Sequence, residues 1–157
     1  MHNKKYKETY RELSHGTDVE SATIIRNNGF KISERSDSWC GPGIYFYDIK
    51  KKAWWAARRK CSEIKKETGK KVEPTVLFAD IIDIETDKIF DLRAYKDLCD
   101  FEEKITPLLG EYSFELSGMN ETEKIIQLRS LFISYYAEKN DKKLIIGNFR
   151  QRPQPMY

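Results

Sequence analysis

The sequence predicts an α+β fold in which helices pack on small, mixed sheets. Three observations predict it. The runs Gly43 to Tyr47 (GIYFY) and Thr75 to Ile84 (TVLFADIIDI) are rich in β-branched and aromatic residues. Apolar residues recur at helical spacing along 53–64 and 125–135. The segments also follow one another as β-α-β-β-α-β-β-α-α-β, which is not the regular alternation of a parallel α/β sheet. With 157 residues, 39% of them hydrophobic, a single domain spanning 1–157 is expected.

The elements are read in order. Residues 10–14 (YRELS) form a short strand leading into His15-Gly16-Thr17. Thr17, with Glu20 three residues later, reads as a capping box for a helix whose apolar side is Ala22, Ile24 and Ile25. Gly29 closes that helix. A short strand at Phe30 to Ile32 and a loop of Ser, Asp, Gly and Pro over 33–42 follow. After the aromatic strand, Asp48 caps a long helix that ends near Thr68 at Gly69. Ala53, Ala57, Cys61 and Ile64 form its buried stripe, with Trp54 beside them.

Downstream of the strand at Thr75 to Ile84 come a short strand from Lys88 to Asp91 and an acidic helix over 92–105. Asn120 with Glu123 signals another cap. The helix it opens runs to Glu138 and turns Ile125, Leu128, Leu131, Phe132 and Tyr135 inward. Lys143 to Phe149 is the last strand, and Pro153 and Pro155 stop any further element.

Composition excludes some classes. No run approaches the ~18 apolar residues of a membrane helix, and the opening MHNKKYKETY has no signal-peptide core. Three scattered cysteines and two histidines make neither a disulfide framework nor a zinc site, so no metal is expected. The thiols read as reduced and the protein as cytoplasmic. Cys40 reads as structural, with no base beside it to activate it. Charge is strongly segregated. Residues 50–71 hold 10 basic and 2 acidic side chains, whereas 72–123 hold 4 basic and 14 acidic. The basic block beside Trp54 and Trp55 fits a nucleic-acid or phosphate-binding surface, and equally a solvated helix face.

Three features carry chemistry together: His15-Gly16-Thr17 at a strand end, Gly41-Pro42-Gly43-Ile44-Tyr45-Phe46 along another, and Ala53-Trp54-Trp55 on the next helix. In order and spacing they resemble the ADP-ribosyltransferase superfamily, on the branch of the poly(ADP-ribose) polymerases and related bacterial toxins. The resemblance covers roughly residues 10–60 by motif and the rest by strand pattern. It implies an ADP-ribosyltransferase-like fold with NAD as the substrate that donates ADP-ribose.

Carried over residue by residue, the resemblance implies that His15 and Tyr45 are catalytic. His15 would hydrogen-bond the adenosine ribose, and Gly16, with Thr17 beside it, would hold the nicotinamide amide through its backbone. Tyr45 would form one wall of the nicotinamide slot. Ala53 would take the small-residue position, and Trp55 the second aromatic wall, a role that a one-residue offset shifts to Trp54 or Ala56. Physical chemistry agrees with such a site: aromatic faces attract a planar cation, and glycine lets a backbone approach a flat ligand.

The resemblance also implies a Glu near the start of a late strand. Lys143 to Phe149 holds no carboxylate. Glu138 is the candidate, with Asp141, Glu111 and Glu115 as other nearby carboxylates. Two explanations stay open: the Glu strand lies beyond residue 157, or the Glu has been lost or relocated.

The expected activity is mono-ADP-ribosylation of a macromolecular acceptor, protein or nucleic acid, with release of nicotinamide. A toxin role, with an antitoxin protein as partner, follows from the same resemblance. Two alternatives are an NAD-dependent RNA 2′-phosphotransferase and a degenerate module that binds NAD or ADP-ribose without catalysis.

Overall fold

The structure is a computed structural model that describes residues 5–32, 39–109 and 121–149, and of 121–127 the helical backbone only. The elements are β1 (Lys7–Asp18), α1 (Val19–Asn28), α2 (Lys50–Thr68), β2 (Pro74–Glu85), β3 (Ile89–Asp91), α3 (Tyr95–Ile105), α4 (Glu121–Lys139) and β4 (Leu144–Ile146). Single 3₁₀ turns at Thr86–Lys88 and Thr106–Leu108 join them. Among the described residues, two small sheets and four helices thus realise the α+β class. The chain divides into two compact units, Met1–Ser33 with Gly43–Ile84, and Glu34–Pro42 with Glu85–Tyr157.

In the first unit, β1 pairs with β2. Contacts from Thr9 to Asp83, Glu12 to Asp80 and Val19 to Glu73 run in opposite chain directions, so the pair is antiparallel. Glu12 and Asp83 interrupt it with left-handed backbone, φ 55° and 54°. Each turns its N–H to a side chain of the facing strand: Glu12 N to Asp80 Oδ1 at 2.8 Å, and Asp83 N to Thr9 Oγ1 at 3.1 Å. Such bulge-like interruptions raise local twist without leaving the N–H groups unpaired.

β1 is longer than the sequence predicts and runs through His15-Gly16-Thr17 to Asp18. The cap of α1 is therefore Asp18, not Thr17: its carboxylate accepts from Ser21 N at 2.9 Å. Gly29 closes α1 as expected, donating to Ile25 O. Only Ala22 of the expected apolar side is buried, and Ile24 is 52% exposed.

Two expected strands do not form. Phe30 to Ile32 has no ladder, and Phe30 instead packs its ring edge-on to His15. Gly43 to Tyr47 is joined to β1 by an antiparallel bridge between Ser14 and Tyr47, with hydrogen bonds of 2.8 and 2.7 Å. The following helix starts at Ile49, without a side-chain cap. Asp48 pairs with Lys52 one turn on, which takes its carboxylate away from the helix N–H groups. Gly69 ends α2 as expected.

The contact that assembles this unit is between backbones. A Cβ on Gly16 would lie 1.9 Å from Ala53 O and 2.8 Å from Ala57 N. Ala53 and Ala57 are fully enclosed, with Cys61 on the same stripe. Small residues on both sides let strand and helix touch.

In the second unit, β3 and β4 pair in parallel, with Ile89 opposite Leu144, Phe90 opposite Ile145 and Asp91 opposite Ile146. Lys143 N to Lys88 O and Leu92 N to Ile146 O extend the pairing at both ends. The expected strand to Phe149 is thus shorter. α3 begins at Tyr95 rather than 92 because Asp91 holds a turn, accepting from Arg93 and Ala94. The core is Phe90, Ile105, Phe132, Ile133 and Tyr136, with Phe90 and Tyr136 rings 4.5 Å apart.

The buried stripe of α4 is rotated from the expected one. Phe132, Ile133, Tyr136 and Ala137 are buried and Leu131 is 41% exposed, while Leu128 and Tyr135 pack partly against the core. Tyr136 is drawn inward because its hydroxyl finds Asp100 as acceptor. The Asn120 cap and the Ile125 side chain lie outside the described residues.

Gly16→Ala is expected to lower stability by about 3 kcal/mol or more, through overpacking against helix backbone that has no room to move. Gly29→Ala, with φ 81° but open space around it, is expected to cost about 1–2 kcal/mol. Urea unfolding midpoints of the two variants check the order.

Candidate functional site in the first unit

His15, Gly16, Thr17, Tyr45, Ala53 and Trp55 all lie in the first unit. Gly16 turns its missing side chain to α2. His15, next to it in β1, meets Phe30 at 5.1 Å and Phe46 at 5.8 Å, and these two rings meet each other at 5.2 Å.

The imidazole is fixed by one hydrogen bond. His15 Nδ1 lies 2.8 Å from Tyr45 O. A carbonyl only accepts, so Nδ1 carries the proton. Burial lowers the His15 pKa, the Tyr45 carbonyl opposes that, and the Lys60 charge adds to the lowering. The neutral ring therefore prevails at pH 7, and Nε2 presents a lone pair.

Behind this edge lies a polar network that sequence reasoning missed. Lys60 Nζ reaches Thr17 Oγ1 at 2.8 Å, Asp18 Oδ2 at 3.0 Å and Ser21 Oγ at 3.1 Å. Ser21 Oγ in turn donates to Asp18 Oδ2 at 2.6 Å. The Asp18 side chain is only 4% exposed and that of Lys60 is 37% exposed. Burial pushes the Asp18 pKa up, but the Ser21 hydroxyl and N–H and the Lys60 ammonium outweigh it and hold the carboxylate well below its ordinary range. Three acceptors use all three ammonium donors of Lys60. The network clips the start of α1 to α2. A signal was present in the sequence: between Ala53 and Ile64, Lys60 is the charged residue that falls on the stripe of Ala53, Ala57, Cys61 and Ile64. The partner of such a lysine is set by tertiary structure.

The other expected ligand contacts divide. Thr17 is enclosed, and its hydroxyl is taken by Lys60. Ala53 is enclosed beneath Gly16. Both side chains serve packing and are closed to a ligand. The missing Cβ of Gly16 likewise admits α2 rather than a ligand on that side. Trp55 follows Ala53 by two residues, so it sits about 200° around the helix, on the side away from β1. Arg59 lies over its ring at 5.7 Å. Trp54 and Ala56 flank the strand-facing stripe. Tyr45 is partly buried in the bridged segment.

Glu138 is exposed on α4 and belongs to the second unit. Glu111 and Glu115 lie outside the described residues. Burial pushes the Cys40 thiol up to about 12, against the opposing charge of Arg129, which fits a structural role. The three cysteines are free thiols. No helix among the described residues is long and apolar enough to cross a membrane.

A scan of protein-family models, a search of curated proteins and a search of solved structures each find no match to this chain.

The Asp18 carboxylate favours the folded state at neutral pH. Its contribution is complete above the ordinary value of 3.8 and is lost as pH falls from there towards its lower value in the folded protein. Asp18→Asn is expected to lower the urea midpoint at pH 7 and to approach the parent protein as pH falls below 3.8. A gap that stays constant with pH would contradict the ionic role.

Proposed function

We propose that the chain binds NAD and transfers its ADP-ribose to a macromolecular acceptor. The observation that carries this reading is the meeting of two motifs 30 residues apart, His15-Gly16-Thr17 and Gly43-Ile44-Tyr45-Phe46, through the 2.8 Å bond from His15 Nδ1 to Tyr45 O. The bridge from Ser14 to Tyr47 supports it by holding the segments side by side. An ADP-ribosyltransferase-like fold is part of the same proposal.

In this reading each group has a physical task. The Tyr45 ring offers its face to the nicotinamide cation, an attraction worth ~0.5–2 kcal/mol. His15 Nε2 accepts from a ribose hydroxyl, in an orientation fixed by the Tyr45 carbonyl. Of the two neighbouring indoles, Trp54 lies on the flank of α2 nearer the strand face. The bond between ribose C1′ and the nicotinamide nitrogen breaks, and nicotinamide leaves neutral with the electron pair. The acceptor's nucleophile then bonds to C1′ and releases its proton. Charge at C1′ is positive in between, as in glycoside hydrolysis, so a carboxylate favours the step.

A second reading has its own observation. Within the first unit, Asp18, three residues from His15, is committed to Lys60 and Ser21. That favours a module that binds NAD or ADP-ribose without transfer.

Incubation with NAD labelled in its adenylate phosphate separates the readings. Transfer puts label on macromolecule, a phosphotransferase gives cyclic ADP-ribose phosphate, and a binding module gives neither. Calorimetry of Tyr45→Ala is expected to show NAD affinity about 2- to 30-fold weaker. Unchanged affinity would remove Tyr45 from the site. NAD affinity is also expected to hold from pH 8 to 6.5 and to fall below it, once protonation turns His15 Nε2 from acceptor to donor.

A further inference from the structure

The outward side of α2 is left unused by the NAD reading. Ala53, Ala57, Lys60, Cys61 and Ile64 face β1. At 100° per residue, Trp55 lies directly opposite that stripe. Lys51, Arg58, Ser62 and Lys66 fall within about 60° of Trp55, and Lys65 about 80° away. All five are exposed, and Trp55 is partly so. Lys51, Lys65 and Lys66 make no ion pair with any described residue. Arg58 lies over the Trp54 ring at 6.0 Å. Of the two carboxylates of α2, Glu63 lies about 80° from Trp55 on the side opposite Lys65 and is paired with Arg59 at 3.0 Å, and Glu67 is about 120° around.

We infer that this face of α2 binds single-stranded nucleic acid. Four cations against one carboxylate, Glu63, which Arg59 already neutralises, complement a phosphate chain, and residues 50–71 as a whole hold 10 basic and 2 acidic side chains. An indole in the middle of the cations offers a platform for an unstacked base, with the guanidinium of Arg59 beside it. Lys51 to Lys66 spans about 22 Å, enough for a site of about four nucleotides. An acidic protein would use the cations but gives no role to the central indole. A bilayer surface needs an apolar helix face, and that of α2 is spent on β1. This concerns binding and stands apart from the transfer reading. Where both hold, it makes nucleic acid the acceptor class.

The test titrates the full chain into fluorescein-labelled 16-nucleotide poly-dT and poly-U, followed by anisotropy at several salt concentrations. Binding is expected to weaken with salt, with a log–log slope of about −3 for four neutralised phosphates. The triple variant Lys51→Glu, Lys65→Glu, Lys66→Glu is expected to lose it. The charge-matched variant Lys7→Glu, Lys31→Glu, Lys96→Glu, none of them in α2, is expected to keep it. Trp55→Ala should weaken binding by about 5- to 150-fold with the salt slope unchanged, and Trp55→Phe should restore most of it. Equal binding by wild type and the α2 triple variant would overturn the inference. So would tighter binding to polyglutamate than to the oligonucleotides, or Trp55→Ala binding as wild type. NAD calorimetry on the α2 triple variant keeps the two readings distinct. Lost oligonucleotide binding with intact NAD binding is expected, and failure of NAD binding in the wild type would count against the transfer reading alone.

Discussion

Strand β1 lies directly on helix α2 because residue 16 has no side chain and residues 53 and 57 have the smallest one available. A methyl group at Gly16 would occupy the position of the Ala53 carbonyl. Much of the first unit follows from this approach. It brings Lys60, two turns along α2, within reach of Thr17 and Asp18 at the end of β1. Asp18 is then held ionised in a nearly closed environment, where it caps α1. His15, next to Gly16 along the strand, packs into the Phe30 and Phe46 rings.

The same contact gives α2 two chemically distinct sides. One side is small and apolar, and closes on the strand. The other carries the cations that so close a packing has no use for, with Trp55 among them. Trp55 therefore faces away from the strand that carries His15, although a linear motif reads them as one site. The nucleotide reading rests on the edge made by His15 and Tyr45. The nucleic-acid inference rests on the outward side of α2.

The class of fold and most helix limits were legible in the sequence, because they depend on local signals. Gly29 and Gly69 stop their helices where expected, and the apolar stripe of α2 is the expected one. Strand limits were less legible. The Gly43 to Tyr47 segment has the composition of a strand but pairs with β1 by a bridge, since backbone pairing depends on a partner distant in sequence. The cap moved from Thr17 to Asp18 because a lysine 42 residues from Asp18 stabilises the carboxylate. On α4 the stripe rotated as the Tyr136 ring packed on Phe90 and its hydroxyl reached the half-exposed Asp100. At the candidate site, the meeting of His15 and Tyr45 is consistent with the motif order. The direction of the His15 hydrogen bond was not legible, because it depends on which backbone carbonyl meets the ring. Nor was the enclosure of Thr17 and Ala53, which depends on how closely two backbones approach.

The central claim is that neutral His15 presents Nε2 to a nucleotide while Tyr45 holds Nδ1. Nitrogen NMR of the His15 ring during an NAD titration at pH 7.5 tests it most directly. The account predicts a protonated Nδ1 in the free protein that stays protonated throughout, and an unprotonated Nε2 signal that shifts as a ribose hydroxyl donates to it. An Nε2–H tautomer in the free protein, or a ring whose signals do not move at saturating NAD, would contradict it.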